Sequence, residues 1–332
     1  MRTRARDWIP TGFLGLGLGL GLGLVLALGG CGKSSKKSSN KSTSKKGATA
    51  RSIPKQVGVK LLTPGSGPKQ RLRYRFRAPE THQVVITIAM SVGVTTQERS
   101  VPVQKMPDMQ MHLTLEHRSV SPTGVLKYSF TLTRAGLAGG GEGAMKKRFE
   151  KVLGPALQQL VGLTGSGEVT ARGVAKHAEL RLPSGIPGPA RKALQSLQEQ
   201  IQQLATPLPE QAVGVGAQWE VVRPLARATL RLGQSAKYTL VKRQGARVTF
   251  EMRLEQYAPE QELKSSQLPH GAKAQLHSLT SKGKGRFDID LTRPVPSGDL
   301  RYDSRLDQTV SAGGKSRRMQ LDLNVHARFS PR

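Results

Sequence analysis

The chain has 332 residues, of which 36% are hydrophobic and 22% are charged, and its formal net charge at pH 7 is +30. Its single cysteine excludes an intramolecular disulfide, so the fold must be stabilised by its core. A surface this basic attracts polyanions of any kind. Aromatic residues make up only 4% and no RRM, KH, zinc-finger or helix-turn-helix pattern occurs, which argues against specific nucleic-acid binding.

Residues 1–30 have the three parts of an export signal. Arg2, Arg4 and Arg6 form a basic start, residues 13–28 form an apolar stretch, and small residues follow. The apolar stretch alternates glycine with leucine, and each glycine costs a helix interior ~1 kcal/mol relative to alanine. Such a stretch would be a poor permanent transmembrane span. We therefore expect the segment to be cleaved.

The sequence Leu28-Gly29-Gly30-Cys31 resembles the lipobox of bacterial lipoproteins. The resemblance implies that the Cys31 sulfur receives a diacylglycerol, that the peptide is cut before it and that the new amino terminus is acylated. A lone buried cysteine after the signal is the alternative. Two or three acyl chains would anchor the chain stably on a bilayer. Gly32 occupies the place where an aspartate retains Gram-negative family members in the inner membrane. The resemblance therefore favours the outer membrane, at its periplasmic face or at the cell surface.

Residues 31–55 comprise this cysteine and a polar tether. Within it, residues 32–47 read GKSSKKSSNKSTSKKG, with lysine and serine throughout and no acidic residue. Nothing in this segment can be buried, so we expect a disordered spacer. Binding of its lysines to anionic lipid headgroups is the alternative.

Residues 56–329 indicate one large β-rich domain, because their apolar residues recur mostly with a period of two. Such alternation is typical of half-buried antiparallel strands. The predicted strands cover residues 72–76, 84–92, 109–115, 126–132, 169–182, 219–222, 236–240, 248–254, 287–291, 300–302 and 319–325. A faint echo between residues 57–59 and 213–215 leaves open whether the domain consists of two similar halves, 56–165 and 166–329.

Two segments show helical spacing instead. The first covers residues 143–164, with a kink predicted at Pro155. The second covers residues 189–205 and has one apolar side, formed by Leu194, Leu197, Ile201 and Leu204. We therefore predict a mainly β (α+β) fold, in which a large antiparallel curved sheet or open half-barrel has two amphipathic helices packed on or in it.

The stretch LPEQAVGVGAQW, from Leu208 to Trp219, resembles a link in an uncharacterised domain-of-unknown-function family of bacterial lipoproteins, which has no established activity. The layout is also similar to half-barrel lipoprotein carriers and related lipid-binding lipoproteins, in which a curved sheet wraps around helices and forms an apolar cavity. That similarity implies a lipid or another apolar envelope ligand. A filled core is the alternative, since every amphipathic sheet has an apolar face.

Catalytic and metal-binding patterns are absent from the sequence. The seven histidines form no HExxH motif, and His112 and His117 would face opposite sides of a strand. Asp288 and Asp290 share the polar face of one strand, where solvated carboxylates near arginines are a simpler explanation than a glycosidase pair. An enzyme would require residues that are scattered in sequence, such as His112, Glu116, Asp288 and Asp290, to cluster in space. We predict no catalytic site, no metal and no cofactor.

Arg71, Arg73, Arg75 and Arg77 alternate along one predicted strand and would share a face. This face is either solvated or a binding site for lipopolysaccharide phosphates, extracellular DNA or acidic polysaccharide. We predict a lipid-anchored envelope protein that binds a lipid or other apolar ligand at unidentified residues, without catalysis. The alternatives are a polyanion-binding surface and a purely structural envelope component. The predicted partners are the membrane, through the acyl chains, and this ligand; the oligomeric state is left open.

Overall fold

The structure is a computed structural model. It describes residues 52–97, 100–140, 143–181, 205–227, 230–263 and 272–332. The predicted export signal, Cys31, most of the tether and residues 189–204 of the second predicted helix lie outside the described residues.

The described residues are mainly β-strand. The strands are β1 Gly58–Thr63, β2 Ser66–Arg71, β3 Glu80–Thr96, β4 Ser100–Lys105, β5 Met109–Val120, β6 Leu126–Leu137, β7 Thr164–Val169, β8 Ala175–Arg181, β9 Ala212–Val215, β10 Gln218–Arg227, β11 Leu230–Gln244, β12 Arg247–Ala258, β13 Gln261–Leu263, β14 Lys273–Asp290, β15 Ser297–Ala312 and β16 Lys315–Pro331. One helix, α1, covers Gly143–Gln158.

Fourteen of these strands form one antiparallel sheet. Its order is β1-β10-β11-β12-β14-β15-β16-β3-β5-β6-β7-β8, with β13 added beside β14 and β4 beside β3. The two end strands, β1 and β8, are not paired with each other in the described part, so the sheet is not closed. Strands β2 and β9 form a separate two-stranded sheet. The predicted large antiparallel sheet is thus confirmed.

One face of the large sheet, here called the apolar face, carries the buried hydrophobic residues. The period of two places alternate residues on this face, and the strand register aligns them into rows. One row crosses eight strands from β11 to β6, and it consists of Tyr238, Met252, Gly285, Leu300, Ala327, Ile88, Met109 and Leu137. Except for Gly285, which has no side chain, these residues belong to or pack against one continuous hydrophobic core.

Helix α1 confirms the first helical prediction but is shorter than expected. It ends at Gln158 and contains Pro155, whereas the predicted helix extended to residue 164. The chain leaves the helix because the backbone of Leu132 in β6 pairs with Gly162 and Leu163 and draws the following residues into β7. Within the described residues, α1 is the only helix, and the second predicted amphipathic helix is not among them.

Two strand predictions are wrong in detail. Residues 169–182 are not one strand, because a turn closed by the Gly173 N–H and the Thr170 carbonyl separates β7 from β8. Residues 72–76 alternate between buried and exposed as predicted, but they lie outside regular strand. Alternation alone could not distinguish a sheet strand from an extended segment that pairs with turns.

The extended segment at residues 72–77 ties distant turns together at one end of the sheet. The Tyr74 N–H donates to the carbonyl of Ala171 beyond β7, and the Arg75 N–H donates to that of Leu291 beyond β14. The Tyr74 and Phe76 rings stack with centroids 5.1 Å apart. The segment therefore covers the end of the apolar face formed by the start of β3 and the end of β5.

Candidate functional site

Five polar side chains interrupt the apolar face in a single line, here called the polar row. Arg223 pairs with Gln234, Gln234 with Gln256, Gln256 with Ser281, and Ser281 with Ser304 in the strand register. All five residues are buried. The polar row therefore crosses β10, β11, β12, β14 and β15 among hydrophobic neighbours.

Most of the polar row is satisfied by its own members. Gln256 Nε2 donates to Gln234 Oε1 at 2.8 Å, and the Ser281 and Ser304 hydroxyls hydrogen-bond to each other. Direct cross-strand neighbours have Cβ atoms ~5 Å apart, which is why adjacent positions in the row can bond. Buried polar groups normally have such partners.

Arg223 at the end of the row is different. The residue is only 7% exposed, and its Nε is buried without a hydrogen-bond partner. No carboxylate in the described ranges forms an ion pair with it. Burial lowers the pKa of Arg223, and the nearby Tyr238 partly offsets this, but an arginine stays charged at neutral pH. The structure thus holds an uncompensated cation on an apolar surface.

A second polar group on the apolar face, here called the histidine cluster, consists of Glu80, His82 and His117. Glu80 and His82 are two residues apart on β3, so they point to the same side, and Glu80 pairs directly with His117 of β5. His82 Nε2 lies 3.1 Å from Glu80 Oε2, and His117 Nδ1 lies 4.0 Å from the same oxygen. The two imidazole centroids are 4.7 Å apart.

The protein environment favours the neutral form of both imidazoles. Burial lowers the pKa of His82, and the neighbouring His117 and Arg293 add to this, while Glu80 opposes it. Burial also lowers the pKa of His117, against the raising effects of its bond to the Arg77 carbonyl and of Glu80. Neutral imidazoles carry a lone pair that can accept a hydrogen bond or bind a metal ion.

The tautomer of His117 follows from its surroundings. His117 Nδ1 lies 2.8 Å from the backbone oxygen of Arg77, which can only accept, so Nδ1 must carry the proton. The lone pair therefore lies on Nε2, and this atom is buried without a hydrogen-bond partner. The Phe76 ring packs edge-on against the His117 ring at 6.2 Å.

The residues considered from sequence for an enzyme have separate local partners. His112 Nε2 lies 3.2 Å from Gln110 Oε1, and Glu116 accepts from Ser129. Asp288 accepts from Thr249, and Asp290 accepts from the N–H and the hydroxyl of Thr292 in the following turn.

Neither site on the apolar face was found from the sequence. His117 approaches His82, 35 positions earlier in the chain, and only the pairing of β3 with β5 brings them together. Arg223 lies beyond the strand predicted at residues 219–222, although it continues the phase of the inward-facing Trp219 and Val221. That phase was the available signal for a buried arginine.

The basic residues of segment 71–77 do not share one environment. Arg73 donates to the backbone carbonyls of Leu72, Pro209 and Glu210, whereas Arg75 and Arg77 are exposed. No helix among the described residues is long and apolar enough to span a membrane.

Comparisons with known proteins give no family. No protein-family model matches the chain, and no curated protein matches it. Among solved structures, OccAB4 of Acinetobacter baumannii is similar at 9% sequence identity, with 76% of this chain and 98% of that chain covered and a TM-score of 0.17. A TM-score this low carries no argument about fold or function.

Proposed function

We propose that the protein is a lipid-anchored cell-envelope lipoprotein whose domain binds an amphipathic ligand with an anionic group. In this proposal Cys31 carries the acyl chains, and the unclosed sheet is curved into a half-barrel with its apolar face inside. The resemblance of residues 28–31 to a lipobox supports the anchor. The length of the sheet and its continuous apolar face support the half-barrel.

The buried guanidinium of Arg223 is the observation that carries the ligand proposal. Burying a charge without a partner costs several kcal/mol, roughly, in a protein interior. A carboxylate or phosphate group would compensate this charge and accept a hydrogen bond from the unpartnered Nε. On the same strand, Val221 and Leu225 flank Arg223 on the same side and are buried. An acyl chain attached to the anionic group would therefore find apolar contacts on either side.

The neighbouring glutamines fit the same ligand class. Gln234 accepts from Gln256 through Oε1, so its own amide nitrogen still offers N–H donors next to Arg223. A guanidinium and an amide nitrogen together suit an anionic group with two or more oxygens. The ligand class is therefore a fatty acid, which carries a carboxylate, or a lipid whose headgroup carries a phosphate.

The polar row favours binding over catalysis. Its five side chains include no carboxylate and no imidazole, so the two serine hydroxyls have no general base within the row. An activated hydroxyl nucleophile needs such a base within hydrogen-bonding reach. The protein would therefore hold its ligand unchanged.

Lipid analysis of the purified full chain tests this function. The chain is extracted from the membranes of a bacterial expression host, and bound lipids are identified by mass spectrometry. Arg223→Met is compared with Arg253→Met, because Arg253 on β12 is exposed on the other face of the sheet. We expect wild type and Arg253→Met to retain one class of lipid, either a fatty acid or a lipid with a phosphate group. We expect Arg223→Met to lose it. Equal retention in both variants, or neutral lipids only, would refute the proposal.

The anchor is tested separately. We expect the wild-type chain to incorporate radiolabelled palmitate and to sediment with membranes, and Cys31→Ala to do neither. Label in the Cys31→Ala variant would contradict the assignment of Cys31. This result would leave the ligand proposal standing, because Arg223 lies in the folded domain.

The alternative of a polyanion-binding surface rests on the net charge of +30, and part of the basic outer face of the sheet is neutralised by ion pairs. On the outer face of β15 and β16, Arg305 pairs with Asp322 and Arg318 pairs with Asp307. Such neutralised pairs attract polyanions less than unpaired arginines do.

A further inference from the structure

We infer that Glu80, His82 and His117 form a binding site for a divalent metal ion of the zinc type, with three protein ligands and one open coordination position. The inference does not depend on the proposed function, because the histidine cluster and the polar row are far apart. The strand register places Ser304 of the polar row level with Val92 of β3. Val92 is ten residues from His82 on the same strand, which corresponds to ~33 Å at the usual rise of a strand.

The backbone creates the three-ligand arrangement. Two side chains at positions i and i+2 of β3 and the residue opposite one of them on β5 point to the same side of the sheet. One nitrogen or carboxylate oxygen from each residue lies within 4.8 Å of the others, with either ring nitrogen counted for a histidine. Zinc bonds of about 2.1 Å require ligand atoms about 3.4 Å apart in tetrahedral geometry. Rotation of the Glu80 and His82 side chains toward His117 Nε2 would close this difference, since the His117 atom that now lies 4.0 Å from Glu80 is Nδ1.

The orphaned nitrogen of His117 is a second and independent indication. Metal-binding histidines usually donate their other ring N–H to a backbone carbonyl or a carboxylate, which fixes the ring and its tautomer. His117 Nδ1 makes such a bond to the Arg77 carbonyl. The Nε2 lone pair is buried and has no donor, although a buried acceptor of this kind normally has one. A metal ion would satisfy it.

The ligand set indicates the metal class and its access. Imidazole and carboxylate ligands without a thiolate suit Zn²⁺ and its first-row neighbours better than Ca²⁺ or Mg²⁺. The side chains of His117, His82 and Glu80 are 0%, 10% and 30% exposed, so the ion would enter past Glu80. Phe76 shields the His117 side of the site.

Arg293 sets the expected strength of binding. After burial, its positive charge is a smaller contribution to the lowered pKa of both imidazoles, and the same charge must also repel a divalent cation. One carboxylate is available to offset it. We therefore expect Arg293→Gln to bind the ion more tightly than the unaltered site does.

Zinc and cobalt titrations of the untagged full chain test the site. The reference chain and all variants in this experiment carry Cys31→Ser, because a free thiolate also binds zinc. We expect one Zn²⁺ per chain by calorimetry, and a visible absorption band for Co²⁺ that reports tetrahedral nitrogen and oxygen ligands. His82→Gln, His117→Gln and Glu80→Gln should each weaken Zn²⁺ binding by more than the ~10–100-fold that follows loss of an outer hydrogen-bond partner.

The matched control is His277→Gln. His277 Nδ1 lies 3.4 Å from Glu260 Oε1, so these two residues also form a histidine–carboxylate pair. Among the described residues, no third ligand joins this pair to complete a metal site. This variant should retain wild-type affinity. Replacing a buried histidine could impair folding and so abolish zinc binding indirectly. Glu80→Gln separates this effect from loss of a ligand, because Glu80 is partly exposed and its replacement should leave the fold intact. The inference is overturned if the chain binds no Zn²⁺, if Glu80→Gln and His117→Gln bind as wild type does, or if His277→Gln loses binding equally.

Discussion

The Tyr74 hydroxyl bonds to both backbone groups of Thr206, 132 positions later in the chain. It accepts from the Thr206 N–H at 3.2 Å and donates to the Thr206 carbonyl at 3.4 Å. Burial raises the pKa of Tyr74, so the hydroxyl stays protonated and remains a donor. Trp219 Nε1 donates to the adjacent Pro207 carbonyl at 3.0 Å. The segment before β9 is thus fixed by two aromatic side chains from different parts of the domain.

The first prediction concerns Tyr74→Phe. The change removes the hydroxyl and leaves both backbone groups of Thr206 without this partner, which should cost ~1–3 kcal/mol of unfolding free energy. Thermal unfolding followed by circular dichroism measures the effect. Tyr257→Phe is the control, because the Tyr257 hydroxyl donates at an exposed site to the carbonyl of Ser52. The prediction is wrong if both variants lose the same stability.

The fold was predictable where burial follows the strand period. Val248, Phe250, Met252 and Leu254 alternate with charged or polar residues, and the structure places them in β12 with their side chains buried. The period cannot show what an alternating segment pairs with, which is why residues 72–76 were predicted as a strand.

The candidate sites were much less predictable, because both contradict the usual behaviour of their residues. Arginine is almost never fully buried without a partner, so sequence reasoning places it on the solvent side. In the structure Arg223 continues the inward phase of Trp219 and Val221. The histidine cluster depends on long-range register between β3 and β5, which the spacing within either strand does not contain.

The second prediction compares two glycines with positive φ. Gly173 has φ +73°, and an added Cβ would lie 2.2 Å from the Thr206 carbonyl oxygen. Gly245 has φ +61°, and its added Cβ would meet nothing within 4 Å. Gly245→Ala should therefore cost only the ~1–2 kcal/mol of a left-handed conformation. Gly173→Ala should cost clearly more, because the backbone of the Thr206 segment must also move.

Melting temperatures of the two glycine variants measured side by side decide this prediction. Combining Gly173→Ala with Tyr74→Phe adds a test of mechanism. If both changes act by releasing the Thr206 segment, the double variant should lose less stability than the sum of the single losses. Additive losses would argue against that shared mechanism.

The third prediction concerns the bond between Ser281 and Ser304. Each hydroxyl is buried, and each is the partner of the other. Replacing one serine by alanine leaves a buried hydroxyl unpaired, at a cost of ~1–3 kcal/mol, whereas replacing both removes the polar pair and should be nearly neutral. A double-mutant cycle on unfolding midpoints measures the coupling. A double variant as unstable as the sum of the two single variants would show that the hydroxyls do not depend on each other.

The fourth prediction is a pH dependence from Asp307 on β15. Its carboxylate accepts from Arg318 Nε at 2.9 Å and from Nη2, and these bonds lower the pKa of Asp307 against the opposing effect of burial. A lowered pKa means that the pair stabilises the fold above the unfolded value near 3.9 and loses this contribution as pH falls through the folded value.

Arg318 is largely exposed, so the contribution should be only ~0.2–1 kcal/mol. Asp307→Asn should therefore melt lower than wild type at pH 6, and this difference should begin to shrink as the pH falls below about 4 and disappear only below the lowered pKa of the folded state. Asp303→Asn removes the same charge from the same strand, but Asp303 accepts from the neutral amide of Asn324, so this control tests the arginine specifically. A constant difference between Asp307→Asn and wild type from pH 6 to pH 3 would show that the ion pair is not the cause.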